Sequence, residues 1–313
     1  MEYLFLVVGL VLIIVGASWL TDGSVALAER FHIPEFIVGL TIVAVGTSMP
    51  ELTVSLLSAM GGSGEMAIGN VVGSNIFNIL AILGICALFS PVVFTRTNVR
   101  RDIPICILAS LALLAVTYFN GDITRVEGLL LLAGYIVMLF FLIRSDMKAA
   151  KATQGATSES SEKTPMAAWK IPVLILLGLA GLIYGGNLCV DNAVVIARQL
   201  GVSEATIAIT LLAGGTSLPE LASSLVSIFK GRASLALGNV LGSNIANILL
   251  ILGTCSTVTP LTMGSVKMFD ICVAVGGAML LLLSAYVLGR DKMVRLEGLI
   301  FLACYVAYIY TLL

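Results

Sequence analysis

A short stretch near the start of the chain recurs 169 residues later, and this repeat constrains the fold more than any other feature of the sequence. Residues 41–55 read TIVAVGTSMPELTVS and residues 210–224 read TLLAGGTSLPELASS, with nine of the fifteen aligned positions identical. Each copy lies in an apolar run. The proline of each copy, Pro50 or Pro219, removes a backbone donor and disfavours helical geometry in the residue before it. We therefore expect a helix to be broken at both places.

The repeat extends well beyond this stretch. Residues 69–79, GNVVGSNIFNI, match residues 238–248, GNVLGSNIANI, at nine of eleven positions. The chain is predicted to contain a first five-helix repeat at 1–144, a cytoplasmic linker at 145–169 and a second five-helix repeat at 170–313. Because five is odd, the second repeat would enter the membrane from the opposite side. Such inverted repeats are typical of secondary transporters, whose binding site lies near the membrane midplane between the halves.

The composition places these repeats in a membrane, since 59% of the residues are hydrophobic and only 11% are charged. The sequence contains ten apolar runs long enough to cross about 30 Å of hydrocarbon. The predicted fold is an all-α polytopic membrane protein with ten transmembrane helices, arranged as two inverted-topology five-helix repeats with broken helices at the midplane. The runs fall near residues 3–29, 34–60, 67–89, 103–119, 125–144, 170–197, 204–229, 235–258, 268–289 and 296–313.

The basic residues predict the orientation. With alternating sides, all of the seventeen Lys and Arg except Arg125, Arg198 and Lys267 fall in loops on one side. The positive-inside rule makes that side cytoplasmic, so both termini of this cell-membrane protein are expected outside the cytoplasm. The sequence contains no GxxxxGK[ST] loop and no coherent nucleic-acid motif, which argues against nucleotide and nucleic-acid partners. We expect no cofactor and no enzymatic activity.

Two carboxylates lie about halfway along apolar runs, in contrast to most of the others, which lie near loops. These are Glu51 and Glu220, one in each copy of the repeat. A lone ionised carboxylate in lipid costs at least ~2.5 kcal/mol, so both are expected to face a cavity and to be paired with a cation. The alternative is a protonated glutamate bonded to a neighbouring helix, although packing alone does not explain two such residues in equivalent positions.

The second motif supplies more oxygen atoms. Ser74 and Asn78 lie four residues apart on one helix face, and Ser243 and Asn247 repeat the arrangement. All four are uncharged and can coordinate a cation. The same residue types also hold membrane helices together, so these four could have a packing role instead.

Together the two motifs predict a site made of oxygen ligands, with no His or Cys nearby. Hard cations prefer such ligands, and Ca²⁺ in particular takes six to eight oxygens. Two carboxylates would neutralise one Ca²⁺, while Na⁺ or protons could occupy the same site, so an exchange between ions is expected in the lipid bilayer. The candidate metal ligands are Glu51, Glu220, Thr47, Thr216, Ser48, Ser217, Asn78, Asn247, Ser74, Ser243 and the carbonyls near Ala44 and Ala213.

At these motifs the sequence resembles the calcium/cation antiporter superfamily, in particular the prokaryotic sodium/calcium exchangers. The resemblance rests on GTSMPE and GTSLPE, each followed by GN-x-x-GSN-x-x-NI, and covers nearly the whole chain. It implies alternating access, with Ca²⁺ bound by Glu51 and Glu220 and with the hydroxyl and carbonyl ligands carrying Na⁺ or completing the Ca²⁺ shell. Some exchangers of this superfamily have Asp where one of Asn78 and Asn247 stands, which leaves the counter-ion and the stoichiometry open.

The function expected from the sequence is therefore an antiporter that exchanges Ca²⁺ for Na⁺. A Ca²⁺/H⁺ antiporter, or one for another cation, would use the same site. An intramembrane protease also needs paired carboxylates, but it would require two Asp and a GxGD-like segment that the apolar core of this sequence lacks. A cation channel is a further alternative, although two inverted halves around one buried site suit alternating access better than a continuous pore.

Overall fold

The computed structural model describes residues 1–153, 166–201, 213–287 and 291–312, and nearly all of them are helical. In the first half the helices are α1 (Glu2–Phe31), α2 (Glu35–Thr47), α3 (Met49–Met60), α4 (Gly64–Phe89), α5 (Asn98–Phe119) and α6 (Arg125–Thr153). In the second half they are α7 (Lys170–Gln199), α8 (Ala213–Gly215), α9 (Leu218–Phe229), α10 (Ala233–Val258), α11 (Met268–Val287) and α12 (Arg295–Leu312).

Within the described residues, eight helices are long and apolar enough to cross a membrane, or nine if α2 and α3 form one bent span. The seventh predicted run, residues 204–229, begins in the segment 202–212, which lies outside the described residues. Its described remainder consists of α8 and α9, and α9 alone has only twelve residues. The ten-helix count therefore stays a prediction, whereas the all-helical membrane fold is confirmed.

The break predicted in the first repeat is present. The axes of α2 and α3 differ by 45° across Ser48. Pro50 lies in the first turn of α3, where its missing N–H removes no helical hydrogen bond, and its ring disfavours continuation of the preceding helix. In the second repeat α8 ends at Gly215, and α9 begins at Leu218 with Pro219 in its first turn.

The two halves contact each other through two small sheets, and each sheet pairs a strand of the first half with a strand of the second. Strand β1 (Val92–Val93) pairs with β4 (Lys292–Met293), and β2 (Asp122–Ile123) pairs with β3 (Leu261–Thr262), both antiparallel. In the sequence repeat β1 corresponds to β3 and β2 to β4, so each small sheet joins one half to the other. Contacts exchanged in this way indicate an approximate two-fold axis between the halves.

Helices α1 and α7 lie against each other along a seam of glycines. A Cβ atom on Gly16 would lie 2.8 Å from the Gly178 carbonyl oxygen, and a Cβ on Gly178 would lie 2.8 Å from the Gly16 carbonyl oxygen. Both distances are far shorter than real Cβ contacts, so the two backbones can approach this closely only without side chains. Small residues at membrane helix interfaces have this effect.

The centre of the molecule is formed by α4 and α10, which carry the two GN-x-x-GSN motifs. In an apolar segment of 18 residues, 94% of the residues of α10 are buried, and 78% of the residues of α4 are buried. These two helices, together with the broken helices beside them, hold the candidate site.

The last helix of the first half is longer than predicted. Helix α6 continues to Thr153, nine residues beyond the predicted end of the first repeat at 144. Residues 154–165 of the predicted linker lie outside the described residues.

Candidate functional site

The two central carboxylates lie at equivalent helix starts. Glu51 is in the first turn of α3 and Glu220 is in the first turn of α9, and each residue is only 1% exposed. The first turn of a helix has unpaired N–H groups and a partial positive charge, which stabilise a carboxylate. The break in the helix therefore supports two negative charges in one buried volume.

The serines at the start of these helices form hydrogen bonds to the opposite half. Ser48 and Ser217 each stand three residues before a glutamate, the spacing of a capping box within one helix. In the structure the Ser48 hydroxyl instead donates to Oε1 of Glu220 at 3.0 Å, and the Ser217 hydroxyl donates to Oε1 of Glu51 at 3.0 Å. Neither serine side chain caps its own helix. Each carboxylate is therefore positioned by the broken helix of the other half.

The second oxygen of each carboxylate has no partner. Oε2 of Glu51 and Oε2 of Glu220 are both buried and accept no hydrogen bond. Buried polar atoms are nearly always satisfied in native proteins, so a pair of unsatisfied carboxylate oxygens requires an explanation. A bound cation supplies one, because it would take both oxygens as ligands and offset both charges.

The predicted oxygen ligands of the second motif lie around the same centre. The Ser74 hydroxyl is 3.1 Å from that of Ser217, which itself contacts Glu51. The Ser243 hydroxyl lies 3.5 Å from the Ala44 carbonyl oxygen, at the limit of a hydrogen bond.

The Ala44 carbonyl differs from its prediction. Instead of being freed by the break, it accepts the Ser48 N–H at 3.0 Å, because the helix completes its last turn before it bends. The same carbonyl oxygen also lies 3.3 Å from the Thr47 hydroxyl, so both of its lone pairs face donors. Ala213, its counterpart, is the first described residue of α8, and the segment before it lies outside the described residues.

The two predicted amide ligands have different surroundings. Asn78 is 1% exposed, and neither its Nδ2 nor its Oδ1 has a hydrogen-bond partner. Asn247 is equally buried, but its Nδ2 donates to Oδ1 of Asn75 at 3.0 Å, which leaves only its Oδ1 unsatisfied. Both residues lie in π-helical turns, Phe77–Ile82 and Asn247–Leu252, and such turns are frequent at functional sites.

The two predicted threonine ligands contact asparagines that the sequence analysis did not single out. The Thr47 hydroxyl lies 3.2 Å from Oδ1 of Asn239, and the Thr216 hydroxyl lies 3.4 Å from Oδ1 of Asn70. Both asparagines occupy the first position after glycine in GN-x-x-GSN. Their identity in both copies of the repeat was the signal that could have identified them.

A second pair of asparagines joins the halves directly. Nδ2 of Asn75 donates to the Asn244 carbonyl oxygen, and Nδ2 of Asn244 donates to the Asn75 carbonyl oxygen, both at 3.1 Å. These residues occupy the last position of GSN in the two motifs. The exchange fixes α4 against α10 at the level of the site.

The donor atoms at the centre are oxygens of the kind that hard cations prefer. Its donors are two carboxylates, hydroxyls, amides and carbonyls, and the described residues contain no group of three or more His, Cys, Asp or Glu that could hold a metal ion. Ions such as Ca²⁺ and Na⁺ accept oxygen ligands of this kind, whereas transition metals favour imidazole or thiolate ligands. A buried oxygen-rich centre between two interlocked halves of a membrane protein defines the class of cation transporters.

Comparison with known proteins identifies the family. The sodium/calcium exchanger protein family matches residues 1–144 and 170–313, so the chain belongs to this family. A protein of Alkalimonas amylolytica, provisionally named antiporter CaxA, is 38% identical over 99% of this chain and 98% of its own length. The sodium/calcium exchanger MaX1 of Methanosarcina acetivorans is 32% identical over 99% of this chain and 98% of its own length.

A solved structure shares the fold. The sodium-calcium exchanger NCX_Mj, soaked with Na⁺ and Ca²⁺, superimposes with a TM-score of 0.85 and 31% sequence identity, covering 100% of this chain and 98% of the other. Family membership and this structural match support a cation antiporter of the Ca²⁺-handling kind, and a membrane transporter rather than an enzyme.

Proposed function

We propose that this protein exchanges Ca²⁺ for Na⁺ across the cell membrane by alternating access, with Glu51 and Glu220 as the anionic ligands. The observation that carries the proposal is the pair of buried, unpartnered Oε2 atoms, one from each half. The two charges of these carboxylates equal the charge of one Ca²⁺. Because each carboxylate is held by the opposite half, binding and release of the ion are coupled to the relative position of the halves.

The remaining ligands in this proposal are neutral. The hydroxyls of Thr47, Thr216, Ser48, Ser217, Ser74 and Ser243, the amides of Asn78 and Asn247, and the carbonyls of Ala44 and Ala213 would complete the Ca²⁺ shell or bind Na⁺. Neutral oxygens suit Na⁺ well, because several singly charged ions can then share two carboxylates.

Counter-ion coupling is tested in proteoliposomes. Uptake of ⁴⁵Ca²⁺ should be driven by internal Na⁺ and should be absent from vesicles that contain only a proton gradient. Uptake driven by protons alone would identify a Ca²⁺/H⁺ antiporter in which the two carboxylates release protons. Uptake that needs no counter-ion and dissipates any Ca²⁺ gradient would indicate a channel.

The stoichiometry proposed is three Na⁺ for one Ca²⁺. Three Na⁺ against two carboxylates carry one net positive charge, and a unit charge moved through the full membrane potential is worth ~2.3 kcal/mol per 100 mV. Uptake of Ca²⁺ into Na⁺-loaded vesicles then expels one positive charge per cycle. An interior-positive potential, set with external K⁺ and valinomycin, should accelerate uptake, and an interior-negative potential should slow it. Indifference to voltage would support two Na⁺ instead.

The proposed topology is ten transmembrane helices in two inverted repeats, with both termini outside the cytoplasm. The contacts returned between equivalent residues, such as those of Asn75 and Asn244, support an axis in the membrane plane. Gly61 and Lys230 occupy equivalent turns and should face opposite sides. In a variant without the six native cysteines, Gly61→Cys and Lys230→Cys should react with a membrane-impermeant thiol reagent from outside and inside, respectively. Labelling from one side would contradict the inverted arrangement.

A further inference from the structure

Two asparagines outside the proposed ligand set contact both halves of the site. Asn239, which is 1% exposed, donates from Nδ2 to the hydroxyls of Ser223 and Ser224 at 2.9 and 3.0 Å and to the Glu220 carbonyl oxygen at 3.4 Å. Its Oδ1 faces the Thr47 hydroxyl of the opposite half at 3.2 Å. The side chain is thus anchored on the half that carries Glu220 and presents its acceptor to the other half.

Asn70 repeats the arrangement from the first half. Its Nδ2 donates to the Ser55 hydroxyl at 3.0 Å and to the Glu51 carbonyl oxygen at 3.3 Å, and its Oδ1 faces the Thr216 hydroxyl at 3.4 Å. Because Nδ2 is engaged by fixed acceptors, the amide cannot rotate without losing these bonds. Its oxygen is therefore held towards the threonine of the opposite half.

This acceptor matters because a hydroxyl has one proton and two lone pairs. Thr47 and Thr216 directly precede Ser48 and Ser217, whose hydroxyls donate to the carboxylates of the opposite half. When a cation binds, it takes the carboxylates as ligands and repels the hydroxyl proton. The proton then needs an acceptor, and the Thr47 hydroxyl has two within reach: Oδ1 of Asn239 at 3.2 Å and the Ala44 carbonyl oxygen of its own helix at 3.3 Å. Because the Ala44 carbonyl is itself a proposed ligand, the amide oxygen is the acceptor that stays available when the ion binds.

We propose that Asn70 and Asn239 are positioning residues, which hold the hydroxyls of Thr216 and Thr47 with their lone pairs directed towards the bound cation. The proposal rests on the proposed function for the identity of the ion and for the two threonines as ligands. Without the amide, the hydroxyl proton would compete with the cation for the same side of the oxygen. Cation affinity would fall although no ligand atom has been removed.

Equilibrium ⁴⁵Ca²⁺ binding to the detergent-solubilised protein, with Na⁺ as competitor, tests the proposal independently of transport. Asn239→Ala should weaken the binding of Ca²⁺ or of Na⁺ about five-fold, which corresponds to one hydrogen bond. Thr47→Val should weaken it by at least as much, and Thr47→Ser should retain most of the affinity. If Asn239 acts through Thr47, adding Asn239→Ala to Thr47→Val should cause no further loss.

A matched control is Asn244→Ala, which removes an equally buried amide from the same helix but has no contact with Thr47. Its effect should add to that of Thr47→Val. If the Asn239 effect is also additive, the asparagine stabilises the helix without positioning the threonine, and the proposal is wrong.

The half-buried Asn70 provides the second test if Asn239→Ala fails to fold. Asn70→Ala and Thr216→Val should show the same lack of additivity, and additive losses in this pair would overturn the proposal. If the unchanged protein binds Ca²⁺ but is not driven by Na⁺, the proposed counter-ion is wrong. The coupling between asparagine and threonine is then still decided by the Ca²⁺ measurement.

Discussion

In the first half the carboxylate of Glu51 accepts a hydrogen bond from Ser217 at 3.0 Å, and in the second half that of Glu220 accepts one from Ser48 at the same distance. Both carboxylates also leave Oε2 unpartnered. Around the charges, the two halves are thus equivalent in partners, distances and burial. Such equivalence is expected where one ion must be shared by both halves in either orientation of the transporter.

One residue pair further from the carboxylates is not equivalent. Asn78 has no hydrogen-bond partner, whereas Nδ2 of Asn247 is bonded to Asn75. The sequence gives no sign of this difference, because the motif reads GSN-x-x-NI in both halves. The same side chain is therefore held by a hydrogen bond in one half and has none in the other.

The turns that follow the broken helices differ more. Lys230 donates to Asp22 at 2.6 Å and to the Ser18 hydroxyl at 2.7 Å, and Arg232 donates to Glu35 at 2.6 Å. The equivalent positions of the first half are Gly61 and Ser63, which carry no charge. The hydrogen bonds of the two carboxylates are thus equivalent in the two halves, while the turns on the two faces of the molecule are not.

The largest expected effect comes from breaking the equivalence at the charges. Glu51→Gln and Glu220→Gln should each reduce Na⁺-driven Ca²⁺ uptake by more than about 100-fold, because the loss of either carboxylate leaves Ca²⁺ half neutralised in a buried site. Uptake into proteoliposomes, normalised to the amount of reconstituted protein, measures this. Glu65→Gln, in the first turn of α4, is the matched control and should retain activity.

A clear inequality between the two glutamate variants would also be informative. If Glu51→Gln abolished uptake and Glu220→Gln did not, only one half would provide the anionic ligand. The equivalent hydrogen bonding of the two carboxylates argues against that outcome.

The fold and the charged centre were accessible from the sequence for a physical reason. The lengths of the apolar runs indicate membrane spans, and a proline in a GTS-x-PE motif indicates a broken helix. The repeat indicates that the two halves are equivalent. The hydrogen bonds across the halves were not accessible, since they join residues 146 or more positions apart. The spacing of Ser48 and Glu51 indicates a local capping box, and only the approach of the second half redirects the serine.

The Ala44 carbonyl was mispredicted for a related reason. A sequence shows that Pro50 cannot donate to the residue four positions earlier, but not where the last regular hydrogen bond before the bend will form. In the structure Ser48 still donates to Ala44, so the regular hydrogen bonds continue to the last residue of the GTS motif and the Ala44 carbonyl is not released.

A moderate effect is expected from adding a carboxylate at the unequal asparagines. Asn78→Asp introduces a charge without breaking a hydrogen bond and should strengthen Ca²⁺ binding. Asn247→Asp should bind Ca²⁺ about ten-fold more weakly than Asn78→Asp, because it places a carboxylate oxygen against Oδ1 of Asn75 and leaves that oxygen unsatisfied. Equilibrium ⁴⁵Ca²⁺ binding and thermal unfolding in detergent measure the two consequences.

Asn247→Asp should also unfold at the lower temperature of the two variants. Equal affinities and equal unfolding temperatures would show that the different surroundings of Asn78 and Asn247 have no energetic consequence. The turns would then be the place where a difference between the two halves has an energetic consequence.

The smallest effect is expected at the turns, where the ion pairs are partly exposed. Such pairs contribute about 0.5 kcal/mol each, so Lys230→Gln with Arg232→Gln, which removes two of them, should change the ratio of the Ca²⁺ KM values measured on the two faces by about five-fold. The KM ratio should shift towards the arrangement of the halves that these ion pairs do not stabilise, since the pairs have no counterpart on the other face. Inside-out and right-side-out vesicles measure the two KM values.

The mirror-image variant sharpens this test. Gly61 has a backbone conformation that other residues adopt, with φ −76°, so Gly61→Lys can be combined with Ser63→Arg to create the missing cations. Asp191, the counterpart of Asp22, is exposed on α7 and is available as a partner. The mirror variant should shift the KM ratio in the same direction as Lys230→Gln with Arg232→Gln, because adding the mirror pairs stabilises the arrangement that the native pairs disfavour. A shift in the opposite direction would show that the new cations do not act on the balance between the two faces as the mirror image of the native pairs.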